Sequence, residues 1–222
     1  MANHTILVTG ANRGIGLALT QHFTARGDRV IGVCRKSSDA LEATGAQVEA
    51  GIDVGDEAAV AALAKRLPDA RIDTLVCNAG ILERDSLADP GFEGVRRQFE
   101  VNALGPLRVV HALRDRLADG AKVALITSRM GSVEDNPSGG YYGYRASKAA
   151  LNAIGKSLAI DLAPRGIAVV LLHPGYVATD MVGGSGDISP EQAAKQLIER
   201  IDELSPKTSG TFRHSNGATL PW

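Results

Sequence analysis

Cysteine, net charge and long apolar runs are all in short supply in this chain, and each shortage removes a class of function. The only two cysteines, Cys34 and Cys77, fall at the expected ends of the second and fourth strands, on either side of the first. Two inter-strand spacings, ~9.6 Å, exceed the reach of a disulfide, so both are read as thiols. Lys and Arg total 24 against 25 Asp and Glu, a formal net charge of −1, which gives no global pull toward nucleic acid or an anionic membrane. The longest clean aliphatic run, Ile167 to Leu172, is far too short to span a bilayer. No basic, apolar leader precedes the first strand, which makes cytoplasmic residence the expectation. The five histidines, His4, His22, His111, His173 and His214, show no ligand-like spacing with cysteine or carboxylate, and no metal site is expected.

What is present is ordinary globular usage, 44% hydrophobic and 22% charged. A chain of 222 residues can bury about 70% of its unfolded surface, so one domain over residues 1–222 suffices. Strands are expected near Thr5 to Val8, Arg29 to Cys34, Gln47 to Ile52, Thr74 to Cys77, Lys122 to Thr127, Ala168 to Leu172 and Gly210 to His214, with helices between them. That alternation predicts an α/β fold, a single Rossmann-like doubly wound parallel sheet with helices on both faces. On the helix beginning near Tyr144, Leu151, Ile154, Leu158 and Leu162 make one apolar stripe, and Pro164 with Gly166 ends it. Gly183-Gly184-Ser185-Gly186 reads as a mobile, lid-like loop, because glycine maximises backbone freedom.

Two features carry chemistry. In Gly143-Tyr144-Arg145-Ala146-Ser147-Lys148, a helix places a phenol and an ammonium one turn apart on one face. A tyrosine titrates near ~10, and a cation ~4 Å away is worth roughly 4 kcal/mol at an effective dielectric of ~20. The lysine is therefore expected to draw the phenol toward working range, against desolvation. Taken alone, the pair reads more readily as a partly exposed i,i+4 contact. The second feature changes that balance. Thr5 to Val8 runs into Thr9-Gly10-Ala11-Asn12-Arg13-Gly14-Ile15-Gly16 and then into the helical pattern of Leu17, Leu19, His22 and Phe23. Glycines there let the backbone approach a pyrophosphate, and the helix N-terminus offers it unpaired N–H groups and a positive dipole end.

The spacing Thr-Gly-x-x-x-Gly-x-Gly, then Asp53-Val54, Asn78-Ala79-Gly80, Asn102, Ser128, Tyr144 with Lys148, and Pro174-Gly175 with Thr179 follow one another in an order that resembles the short-chain dehydrogenase/reductase family over essentially the whole chain. The short length and the ending SGTFRHSNGATLPW most resemble the small carbonyl reductases of the sniffer and C-factor type. This resemblance implies an oxidoreductase that interconverts a carbonyl and an alcohol by hydride transfer from a nicotinamide cofactor. Tyr144 would then be the acid-base group, and Ser128 would hydrogen-bond the carbonyl oxygen. Lys148 would lower the tyrosine pKa and bind the nicotinamide ribose, and Asn102 would complete a proton relay. Implied cofactor contacts come from Gly10, Asn12, Arg13, Gly14, Ile15 and Gly16 in the turn, and from Arg35, Asp53 and Val54. Further contacts are implied for Asn78, Ala79, Gly80, Tyr144 and Lys148, and for Pro174, Gly175, Val177 and Thr179 at the nicotinamide end.

The expected cofactor is NADP(H). The second strand ends Val33-Cys34-Arg35-Lys36 and the first acid after it is Asp39, so no carboxylate is placed to accept the ribose 2′-hydroxyl or repel a phosphate. Arg35 and Arg13 resemble the basic positions of NADP-preferring members, and a guanidinium fork suits a phosphate. Ser132 rivals Ser128, and Tyr141 and Tyr142 rival Tyr144, although only Ser128-Arg129-Met130-Gly131 resembles Ser-x-x-Gly and only Tyr144 fits Tyr-x-Ala-Ser-Lys. Cys77 departs from the asparagine usual in the family. Around Asn102, Pro106 is expected to kink a helix. The expected partners are a small-molecule carbonyl or alcohol and, from the resemblance, further copies in a homodimer or homotetramer. A dinucleotide-binding sensor or signalling protein without turnover is the alternative on the same fold.

Overall fold

The computed structural model describes residues 4–222. Seven strands, β1 (Thr5–Thr9), β2 (Arg29–Val33), β3 (Gln47–Glu49), β4 (Ile72–Cys77), β5 (Leu117–Ile126), β6 (Ala168–His173) and β7 (Thr211–His214), form one sheet in the order β3-β2-β1-β4-β5-β6-β7. Every neighbouring pair is parallel. Such a sheet needs crossover connections and cover on both faces. These come from α1 (Gly14–Ala25), α2 (Asp39–Glu42), α3 (Glu57–Arg66), α4 (Phe92–Phe99), α5 (Gly105–Leu113), α6 (Tyr142–Asp161) and α7 (Pro190–Asp202). The doubly wound architecture is the one expected from the alternation of apolar runs.

The strands read as continuous apolar runs because a side chain meets a helix whichever face it takes. In β1, Leu7 packs with Leu63 of α3, Val109 and Leu113 of α5 and Leu151 of α6. Ile6 and Val8 instead join Leu19 and Phe23 of α1 and Leu197 and Ile201 of α7. Strand ends differ from expectation where glycine or register intervenes. β3 stops at Glu49 because Gly51, with φ of 81°, turns the chain, although Gly51 and Ile52 still donate to the Arg35 and Cys34 carbonyls at 3.0 Å. β5 starts earlier than expected, Leu117 pairing with Ile72 ahead of a register shift. Cys34, just past the end of β2, and Cys77, the last residue of β4, are buried free thiols on either side of β1.

Around Asn102 the helix widens. Glu100–Leu104 is π-helical, and the Gly105 N–H reaches the Glu100 carbonyl five residues back. Pro106, at the start of α5, has no N–H to offer the Asn102 carbonyl four residues earlier, so α-helical pairing fails at that point. β1 lies between β2 and β4, where the strand order reverses, and the crevice beyond the carboxyl ends of the strands there is where open α/β sheets bind ligands.

Candidate active site

A cleft of about 830 Å³ opens at that reversal. Its floor is the turn between β1 and α1. A Cβ on Gly16 would lie 2.1 Å from the Gly10 carbonyl oxygen, so only glycine lets the turn fold this tightly. The Asn78 amide donates to the Thr9 and Gly10 carbonyls at 3.0 and 3.3 Å, while the Thr9 hydroxyl accepts from the Asn78 and Ala79 N–H groups, both at 3.1 Å. The start of α1 has no side-chain cap, leaving its first N–H groups to face the cleft.

Of the residues singled out in the sequence, Gly10, Asn12, Arg13, Gly14, Ile15, Arg35, Asp53, Val54, Asn78, Ala79, Gly80, Tyr144, Lys148, Pro174 and Thr179 line this cleft. Five stand behind its surface. Gly16 packs under the turn, and Gly175 packs against Ile188. Val177 is buried and bridges to Ile188. Ser128 and Asn102 are buried next to residues that do line it, Thr127 and Gly80.

At one end, α6 presents Tyr144 and Lys148 on its buried face. The Lys148 ammonium donates to the Ile126 carbonyl at 2.9 Å and lies 5.9 Å from the centre of the Tyr144 ring. The expectation that the lysine would lower the phenol is corrected here. Burial pushes Tyr144 up to about 12, only partly offset by hydrogen bonding from Ser128, and pushes Lys148 down to about 8. Loss of water acts on both groups, and the ammonium is directed at a carbonyl rather than at the phenol. Beside them the Ser128 hydroxyl accepts from the Met130 N–H at 3.1 Å. Asn102 ties the site together. Its Oδ1 accepts from the Ile81 N–H at 2.8 Å, and its amide donates to the Ile81 carbonyl at 2.9 Å and to Ser147 Oγ at 3.1 Å. Ser147 in turn donates to the Tyr144 carbonyl at 2.8 Å.

The rival residues have other work. Ser132 Oγ donates to the Trp222 carbonyl at 2.9 Å and accepts from the Asp135 N–H at 3.0 Å. Tyr142 is exposed, and Tyr141 precedes α6 with φ of 51°, a left-handed conformation uncommon outside glycine. What holds α6 in place was missed in the sequence. Asp85 accepts from the Tyr142 and Gly143 N–H groups, at 2.5 and 2.9 Å, and its carbonyl accepts from the Tyr141 N–H at 3.3 Å. The only signal was negative, a helix start with no Ser, Thr, Asp or Asn at its cap. Asp85→Ala is expected to cost about 1 kcal/mol of stability, as loss of a helix cap does. Because α6 carries Tyr144, turnover is expected to fall more than cofactor affinity. Thermal unfolding and steady-state kinetics on the variant check both.

One further expectation changes. Carboxylates do stand beside the arginines: Arg13 lies 3.2 Å from Asp180 and Arg35 lies 3.8 Å from Asp53. Asp180 arrives from a distant part of the chain, whereas Asp53 follows β3, the next strand after Arg35. Gly183 to Gly186 is exposed, in a loop held by main-chain hydrogen bonds. The Gly184 N–H donates to Thr179, Asp187 to Tyr176 and Ala178 to Ile188, at 2.9, 2.8 and 3.0 Å, and a Cβ on Gly186 would sit 2.2 Å from the Ala178 nitrogen. Close backbone approach accounts for that glycine.

Among the described residues there is no helix long and apolar enough to cross a membrane, and no group of three or more His, Cys, Asp or Glu able to hold a metal. The fold and the cleft are those of the Rossmann-like α/β class. The chain belongs to the short-chain dehydrogenase family, whose model matches residues 4–189. It is 45% identical over 224 residues to the 1-hydroxy-2-glutathionyl-2-methyl-3-butene dehydrogenase of Rhodococcus sp. (strain AD45), covering 98% of this chain and 99% of that protein. Among solved structures it is similar to the NADPH-bound carbonyl reductase from chicken fatty liver, with a TM-score of 0.90 and 28% identity over 100% of each chain. It is equally similar to the carbonyl reductase Sniffer of D. melanogaster, with a TM-score of 0.90 and 29% identity over 99% of this chain and 100% of that one. The likeness to small carbonyl reductases read from the sequence is therefore found in the structure as well.

Proposed function

We propose that the chain is one catalytic domain that interconverts a carbonyl and an alcohol with NADP(H), using Ser128, Tyr144, Lys148 and Asn102. The observation that carries this is the burial of Tyr144 and Lys148 on one face of α6, at the end of a cleft whose other end is a glycine turn on an uncapped helix N-terminus. That turn fits a dinucleotide, because Gly10 and Gly14 line the cleft and Gly16 lets the turn fold tightly beneath them, where a pyrophosphate would meet the N–H groups of α1. Arg35, Asp53 and Val54 would hold the adenosine end. Asn78, Ala79 and Gly80, with Pro174, Gly175, Val177 and Thr179, would shape the nicotinamide end.

The bound nicotinamide supplies or accepts the hydride. In the reducing direction Tyr144 gives its phenolic proton to the carbonyl oxygen as charge develops there. A buried phenol held near 12 is fully protonated at neutral pH and is ready for that step. Ser128 donates a hydrogen bond to the same oxygen. The Lys148 ammonium returns a proton toward Tyr144 and takes its replacement from solvent, and the Asn102 main-chain carbonyl, which Pro106 leaves without its helical donor, would accept a hydrogen bond from a water in that path. The likeness to carbonyl reductases and to a dehydrogenase of a glutathione-substituted alcohol supports a small, polar carbonyl or alcohol as substrate. Exposed Phe92 and Phe99 on α4 and Ile160 on α6 support a homodimer or homotetramer formed through the helices around Asn102 and Tyr144.

Oxidation of NADPH against a panel of aldehydes, ketones and quinones tests this function. At least one carbonyl is expected to be reduced with equal loss of NADPH. Tight NADPH binding with no turnover on any of them, in single-turnover conditions as well, would instead identify a dinucleotide sensor.

A further inference from the structure

The chain's ending takes no part in the hydride-transfer chemistry, yet it reaches the catalytic loop. After β7 it turns at Ser215 to Gly217 and runs back along the outer edge of that strand, with the His214 N–H donating to Ala218 and the Leu220 N–H to Phe212, at 2.8 and 2.9 Å. Arg213 and Thr219 form an antiparallel bridge, and Leu220 packs on Phe212 and Leu171. The ending therefore covers the open edge of the sheet. Its last residue then crosses to the segment after Ser128. The Trp222 main-chain oxygen accepts three hydrogen bonds, from Ser132 Oγ at 2.9 Å, the Val133 N–H at 2.9 Å and the Glu134 N–H at 3.1 Å.

We propose that Trp222 is a positioning residue, whose main-chain oxygen pins Ser132 to Glu134 and so holds Ser128 against Tyr144. Ser128 opens a single 3-10 turn, Arg129–Gly131, closed by the Gly131 N–H on the Ser128 carbonyl at 2.8 Å and by the Ser132 N–H on the Arg129 carbonyl at 2.9 Å. One such turn is a weak support by itself. Beyond it, Val133, Glu134 and Asn136 to Gly139 are exposed. Three donors converging on one oxygen from 90 residues away add a long-range restraint to the loop's own ties, Arg129 with Asp135 and the Asp135 N–H on Ser132 Oγ, and to the Asn152 amide of α6 on the Gly131 carbonyl. The restraint matters because a reacting group displaced by ~1 Å can lose ~10²-fold in rate.

The proposal rests on the assignment of Ser128, and three variants test it alongside Ser128→Ala. A chain ended at Pro221 is expected to lose about tenfold in kcat with its NADPH dissociation constant unchanged, and to exchange the Val133 and Glu134 amide protons faster. Trp222→Ala, which keeps the main-chain oxygen, is expected to retain both the slow exchange and most of kcat. Ser132→Ala, which removes one of the three donors, is expected to fall between them, and it carries the test if the shortened chain does not fold. Unchanged kcat in the shortened chain and in Ser132→Ala would overturn the proposal, as would equal losses in kcat and cofactor affinity. If Ser128→Ala itself keeps full turnover, the serine assignment fails instead, and exchange at Val133 and Glu134 separates the two results.

Discussion

Tyr144→Phe is expected to lose at least a hundredfold in turnover while binding NADPH nearly as well as the parent, because a positioned acid-base group typically contributes ~10²–10⁴. The variant keeps the ring and removes only the proton that the carbonyl oxygen must receive. Burial raises the phenol to about 12, which gives the two reaction directions opposite pH dependence. Carbonyl reduction needs the protonated phenol, which persists through neutral pH. Alcohol oxidation needs the phenolate, which becomes available only as pH rises toward the phenol's value near 12, so its rate is expected to climb steadily across the alkaline range. Initial rates in both directions from about pH 6 up to about pH 10, where unperturbed tyrosine and lysine titrate, check this in the parent protein. Near-normal turnover in Tyr144→Phe would remove the phenol from the mechanism. A flat oxidation profile would show that binding restores the lower pKa that spacing alone suggested.

The sheet was legible in the sequence because a strand buried on both faces has to be apolar throughout, as Thr5 to Val8 and Ala168 to Leu172 are. The turn from Gly10 to Gly16 and the pair Tyr144 and Lys148 were legible because the residues that cooperate there are close in sequence. What stayed hidden depends on residues far apart. Asp85 caps α6 from 58 residues upstream of Gly143, and Arg13 meets Asp180 across 167 residues. The π-helical turn at Asn102 was half legible: Pro106 marks where α-helical pairing must fail, but a kink and a widened turn both satisfy that constraint. The pKa of Tyr144 was misjudged for another reason. Sequence spacing sets how near two charges can come, whereas burial depends on the loops that close over them.

Under the NADP(H) proposal, the phosphate on the adenosine ribose is expected to give a preference of about thirtyfold to a hundredfold over NADH. A charge-assisted hydrogen bond from a guanidinium contributes roughly 1.5–3 kcal/mol, and ~1.4 kcal/mol is one tenfold step. Against that stand the pairs that Arg13 and Arg35 already make with Asp180 and Asp53, which the phosphate has to displace. Solvent reaches all four side chains, and exposed pairs of this kind are worth only ~0–1 kcal/mol. A phosphate carrying close to two charges therefore wins the competition, at some cost to the margin. Arg35→Ala is expected to weaken NADPH binding at least tenfold, about one charge-assisted contact, and to leave NADH binding almost unchanged. Asp180→Asn is expected to act in the opposite sense, tightening NADPH severalfold by freeing Arg13 and again sparing NADH. Dissociation constants for both dinucleotides in the parent and the two variants, measured at low and at physiological salt, decide the matter. The preference must shrink as salt rises, because exposed charges are screened beyond ~8–10 Å. Equal affinities in the parent, or a preference indifferent to Arg35, would mean that the two arginines only balance their own carboxylates.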